Sequence, residues 1–250
     1  MIRTFCKLLG LLGLAVMGCS SEALNAGAAG SAAADSGAGG SPAGGASATA
    51  GAPSAGSGPA SSVAFQRAAY PEGPYGRGVG ATIANLSFLG WRDPVQAGYD
   101  PAKLERVSLS DFYNPSGARS GVQVIMLNAS AVWCSVCKAE YKHMRDVGVY
   151  STYKPKGVEI LGVIFEDVDS KPAKPSDLVI WGSSERGFSV PFPLVVDPGF
   201  KIGVYFESDA TPMNMLIDAT TMKIIRVDMG YDSRTPDKYW QYVDTLLPQP

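Results

Sequence analysis

The stretch Ala131-Val132-Trp133-Cys134-Ser135-Val136-Cys137-Lys138-Ala139-Glu140 sets two cysteines three positions apart, where an apolar run hands over to helical spacing. Residues i and i+3 stand one turn apart on a helix, so their sulfurs can join in a disulfide or part from one with little backbone movement. Position then separates their roles. Cys134, at the helix N-terminus, would meet unpaired backbone N–H groups and the positive end of the helix dipole, which stabilise a thiolate. Cys137, one turn inside, would be more shielded. The pair reads as a redox dithiol in which Cys134 attacks and Cys137 resolves.

Upstream, residues 122–127 form a continuous apolar run rich in branched side chains, the pattern of a buried central strand, and 128–133 lead from it to the dithiol. Downstream, Tyr141, Met144 and Gly148 keep helical spacing on one face while Lys138, Lys142 and Arg145 fall on the other, which predicts a helix running to Tyr150 or Tyr153, ahead of Pro155. Residues 158–165 are a second buried strand. Strand, helix and strand then require a parallel pair with a right-handed crossover, and the dithiol lies at the carboxyl end of the sheet, where open α/β sheets place their sites.

The remaining domain reads more coarsely. Residues 70–100, rich in Gly and Pro, predict irregular or hairpin structure, and 107–112 alternate like a short strand turning into a loop. A Ser176-capped helix over 177–186, an extended 190–196 and a short helix around 200–206 follow. Residues 211–218 predict a strand opening at Pro212, paired antiparallel with 222–229 across the turn Ala219-Thr220-Thr221, and 236–247 predict a closing amphipathic helix.

The chain has 250 residues, 46% hydrophobic, with a formal charge of -2; residues 1–62 contribute Arg3 and Lys7 against Glu22 and Asp35. Such a balance gives no basis for a nucleic-acid partner. Arg3 and Lys7 precede a ten-residue apolar run, 8–17, of signal-peptide length and too short to span a bilayer. The run ends in Val16-Met17-Gly18-Cys19, which resembles the lipobox of bacterial lipoproteins. That resemblance implies lipidation of Cys19, anchorage in the cell envelope on the periplasmic face and, with Ser20 next, the outer membrane over the inner. Residues 19–62, almost wholly Ala, Gly, Ser and Pro, are expected to be a flexible tether reaching roughly a few tens of Å. The expected division is a signal peptide over 1–18, a linker over 19–62 and a folded domain over 63–250. With Cys6 lost and Cys19 lipidated, Cys134 and Cys137 are the remaining thiols, in an exported and oxidising setting.

Trp133-Cys134-x-x-Cys137 after an apolar strand, Leu216-Ile217-Asp218 after Thr211-Pro212, and the closing helix resemble the thioredoxin fold. Cys134-x-x-Cys137-x-x-Glu140, the 107–112 segment and the extra helix after Phe165 are closer to the membrane-anchored TlpA/ResA-like thiol-disulfide oxidoreductases of the redoxin family. The resemblance covers roughly residues 80–247. It implies an α/β domain with a central mixed sheet flanked by helices, a cis proline at Pro212 facing the dithiol, and a Thr211 backbone that pairs with substrate. It also implies Glu140 handling protons and Trp133 shielding the site. Its partners would be exported thiol or disulfide proteins and a redox protein that recharges the dithiol; a monomer without cofactor is expected. Ser135-Val136 in place of the common proline, Asn128 where thioredoxin has a titrating Asp, and the bulky Met213-Asn214-Met215 depart from thioredoxin. Its potential and direction do not carry over.

Rival chemistries fit less well. A structural zinc site needs about four ligands, whereas the mature chain would offer two cysteines and His143, expected at the surface. Haem attachment needs His where Lys138 stands. A thioredoxin-fold copper carrier would use a longer cysteine spacing and a distant histidine. A peroxiredoxin-like peroxidase shares the fold, but its Thr-x-x-Cys motif is broken by Ala131. A redoxin domain that only binds a partner, with Cys134–Cys137 as a static disulfide, is the non-enzymatic alternative.

Overall fold

The computed structural model describes residues 69–206 and 210–247. The signal segment, Cys19, the linker and residues 63–68 lie outside them. Among the described residues no helix is long and apolar enough to cross a membrane.

The chain runs β1 (Ser87–Trp91), α1 (Pro94–Ala97), β2 (Glu105–Ser108), β3 (Val124–Ala131), α2 (Ser135–Asp146), α3 (Val149–Tyr153) and β4 (Val158–Glu166). It continues through α4 (Pro175–Gly182), β5 (Leu194–Val196), β6 (Met213–Asp218), β7 (Lys223–Met229) and α5 (Lys238–Leu246). The strands form one mixed sheet in the order β2-β1-β5-β4-β3-β6-β7. β3, β4 and β5 are parallel, while β1, β2, β6 and β7 pair antiparallel with their neighbours. This is the mixed, helix-flanked thioredoxin-like sheet that the sequence resemblance implies.

β3 lies inside the sheet between β4 and β6, and all of its residues are buried. The strand runs to Ala131 rather than ending at 127, which corrects the sequence reading: Asn128 and Ser130 are inside the sheet, not in a connector. Apolar run length missed this because polar side chains interrupted it, yet both have buried partners that make their burial tolerable.

The dithiol helix is shorter than predicted. α2 stops at Asp146, Gly148 takes a left-handed conformation with φ 64°, and α3 begins at Val149. Gly148 therefore breaks the helix instead of extending its apolar face. Tyr141 and Met144 are buried and Lys138, Lys142 and Arg145 exposed, as their spacing predicts.

Other boundaries also shift. α4 begins at Pro175, with Asp177 accepting the Lys174 backbone N–H at 2.7 Å, so Ser176 is not its cap, and it ends four residues before Arg186. Within 190–196 only Leu194–Val196 is a strand, and around 200–206 only Lys201–Val204 is helical, as a 3₁₀ turn. Within 70–100, read as irregular or hairpin, the one strand is β1; it pairs antiparallel with β2, which lies beyond that span, and with β5.

Gly162 shows how β4 receives α2. A Cβ there would lie 2.5 Å from Tyr141 Oη, and Tyr141 is in turn surrounded by Trp181, Phe188 and Phe192 at ring distances of 5.0, 5.7 and 5.8 Å. Three residues on, Phe165 points to the opposite face and packs on Phe200 and Phe206. Sheet and dithiol helix are thus locked together at Tyr141, one turn beyond Cys137.

Candidate active site

Cys134 is the N-cap of α2, and its Sγ accepts the Cys137 backbone N–H at 3.0 Å. A backbone donor aimed at this sulfur, at the positive end of the helix, stabilises negative charge on it. Cys134 and Cys137 form a disulfide with Cα atoms 5.3 Å apart. Both sulfurs sit low in the surface, Cys137 at 0% exposure and Cys134 at 3%, while Trp133 is 38% exposed and Val136 is exposed beside it. A partner approaching Cys134 meets this apolar rim.

Thr211 and Pro212 close the other side. Their peptide bond is cis. The Thr211 carbonyl oxygen is 3.7 Å from Cys134 Sγ, and Thr211 Oγ1 is 3.5 Å from Cys137 Sγ while donating to the Ala129 carbonyl at 3.0 Å. Residues far apart in the chain therefore meet at the dithiol as the sequence reading expects.

Trp133 is held from below. Its Nε1 donates to Glu166 Oε2 at 2.6 Å, and the Glu166 carbonyl accepts the Val132 N–H at 2.9 Å. Sequence reasoning missed Glu166; the available signal was a carboxylate at the carboxyl end of the strand parallel to β3.

Glu140 is the most informative side chain. It is 5% exposed, a buried carboxyl group and not a solvated surface one. Asn128 Nδ2 donates to its Oε2 at 2.7 Å and Asn214 Nδ2 to its Oε1 at 2.6 Å, while Asn128 also donates to Asn214 Oδ1 at 2.8 Å. Ser130 Oγ completes the set by donating to Asn128 Oδ1 at 2.8 Å. Burial pushes the Glu140 pKa up to about 7, and the bonds from Asn214 and Asn128 pull against it. The carboxyl group can thus accept or release a proton near neutral pH, one turn along the helix from Cys137.

Asn214 was overlooked as a site residue, although its signal was present. Like Asn128, it interrupts an otherwise apolar strand, and the two stand opposite each other in the β3–β6 register. His143, expected at the surface, is only 15% exposed at its side chain, with Nε2 3.3 Å from Asp237 Oδ1. Among the described residues no three His, Cys, Asp or Glu side chains gather to hold a metal ion.

Comparison with known proteins gives the family. Residues 97–226, just over half of the chain, match the AhpC/TSA family, and the chain belongs to it. It is similar to a thiol-disulfide oxidoreductase ResA of Bacillus cereus, 27% identical over 124 residues, which is 50% of this chain and 64% of that relative's length. A ResA from Oceanobacillus iheyensis is 47% identical over 45 residues, 18% of this chain and 22% of the relative, so neither relative is matched over its whole length. Among solved structures, a putative thiol:disulfide interchange protein DsbE from Chlorobium tepidum superposes with a TM-score of 0.48 at 18% identity, covering 68% of this chain and 99% of that one.

Proposed function

We propose that this protein is a thiol-disulfide oxidoreductase that exchanges disulfides with exported proteins while tethered by lipid on Cys19 to a bacterial envelope membrane, the outer one favoured. The observation that carries the reading is one constellation: Cys134 at a helix N-terminus, Cys137 behind it, Glu140 buried one turn on, and the cis Thr211–Pro212 peptide across from both sulfurs. Membership of the AhpC/TSA family and the similarity to ResA support it.

In the reducing direction the Cys134 thiolate attacks a substrate disulfide. A new S–S bond joins Cys134 to one substrate sulfur, and the other leaves as a thiolate. Cys137 then loses its proton to the Glu140 carboxylate and attacks Cys134 Sγ. The Cys134–Cys137 disulfide forms, the second substrate sulfur leaves, and two electrons have passed from the dithiol to the substrate. Proton return from Glu140 to solvent completes the balance. The reverse sequence oxidises a substrate dithiol, and the partner that recharges Cys134–Cys137 sets the direction. The Thr211 backbone would pair with the substrate segment, with Trp133 covering the mixed disulfide. The exchange uses only sulfurs and protons, so no cofactor enters it.

Insulin reduction tests the activity. Wild-type protein accelerates it and Cys134→Ser does not; equal rates for the two would remove Cys134 from the reaction. A reduction potential far below about -300 mV would mark the static disulfide of a non-catalytic binding domain.

A further inference from the structure

Glu140 faces two environments. On one side α2 carries it toward Cys137; on the other it forms part of the wall of a solvent-open chamber of about 430 Å³ with a mixed polar and apolar lining, opposite the end of β7 and the start of α5. Asn214 belongs to both. It stands opposite Asn128 in the sheet register, bonds Glu140 Oε1 at 2.6 Å, accepts from Asn128 at 2.8 Å, and lines the chamber. Tyr239 also lines it, with its Oη buried and without a protein hydrogen-bond partner.

We propose that Asn214 is a positioning residue for Glu140: from the chamber wall it fixes the carboxylate with a donor that Asn128 alone cannot replace, and so sets the pH at which this group exchanges its proton with chamber water. Asn128 binds Oε2, so loss of the Asn214 amide leaves Oε1 without that donor in a buried position. The charged form suffers more than the neutral form, and protonation moves to higher pH.

The hydrogen bonds to the Glu140 carboxylate come from the Asn128 and Asn214 amides, and the two arginine–aspartate pairs beside the chamber are closed on themselves. Arg226 is paired with Asp228 at 2.5 Å, and Asp232 with Arg234 at 2.9 Å. Lys238 and Tyr231 line the chamber as well, the Tyr231 hydroxyl being held neutral by burial and by the Glu140 charge. On α2 itself the neighbours are Tyr141, Cys137 and His143, the last directed to Asp237.

The inference rests on the proposed proton role of Glu140 only for its bearing on exchange; its test reads the carboxyl group directly. Infrared titration of the oxidised full-length protein follows the protonated carboxyl C=O band, assigned by its disappearance in Glu140→Gln. Asn214→Leu should raise the midpoint by about one to two pH units. The isosteric Asn214→Asp, which keeps the packing, should give two coupled steps, the upper one above the wild-type midpoint. Wild-type midpoints in variants with native near-ultraviolet circular dichroism would overturn the assignment. Shifted midpoints with unchanged insulin reduction would uphold it and instead remove Glu140 from the proposed reaction.

Discussion

At the residue scale the site is a division of labour among side chains that differ mainly in burial. Cys134 takes the helix end and Cys137 the interior, and Glu140 is kept out of water but bonded by two amides. Glu140→Gln should therefore lower the rate of disulfide exchange about 100-fold near neutral pH and flatten its rise through pH 7. Stopped-flow exchange between pH 5 and 9 measures both; a retained limb near pH 7 would assign that titration elsewhere. The dithiol was legible from its spacing, and Glu140 from the resemblance of Cys134-x-x-Cys137-x-x-Glu140 to the TlpA/ResA-like motif. Asn214 and Glu166 were not, since a lone polar residue within or at the end of a strand acquires meaning only when the sheet register shows what it faces.

At the element scale the question is how α2 is held over β3 and β4. β4 and the first half of β3 were legible from branched apolar runs, whereas the end of α2 was not, because Gly148 fits a helical apolar face by spacing but adopts a left-handed turn. Seating depends on Gly162, where any side chain meets Tyr141, Leu194 and Phe192. Tyr141 cannot swing away, being boxed by Trp181 and Phe188. Gly162→Ala is expected to cost about 1–3 kcal/mol in chemical unfolding and to slow exchange by displacing the dithiol helix. Unchanged stability would mean that the aromatic box yields without strain.

At the scale of the whole molecule, the buried carboxyl links catalysis to stability. Its folded pKa of about 7 lies above the ordinary 4.5, so the folded state holds a proton that the unfolded chain releases. The contribution is fully present below about pH 4.5 and is lost as pH rises through 7. Relative to Glu140→Gln, the wild-type domain should lose on the order of 2–3 kcal/mol between pH 5 and pH 8 in urea unfolding with the disulfide intact. Parallel stability curves for the two proteins would contradict the buried, raised carboxyl. The fold class was legible at this scale because the parallel strand–helix–strand unit and the antiparallel pair after it stand beside motifs, Trp133-Cys134-x-x-Cys137 and Thr211-Pro212, that resemble the thioredoxin fold. The hairpin of β1 and β2 beyond β5 was not, its strands being short and its glycines common.

Mass spectrometry of single-cysteine variants after brief reaction with a disulfide-bonded peptide reads directly which sulfur attacks first. Cys137→Ser should accumulate a mixed disulfide through Cys134, while Cys134→Ser should form little adduct and leave the peptide unreduced. Adduct on Cys137 in Cys134→Ser at the rate seen for Cys134 in Cys137→Ser would contradict the assigned order of attack and resolution.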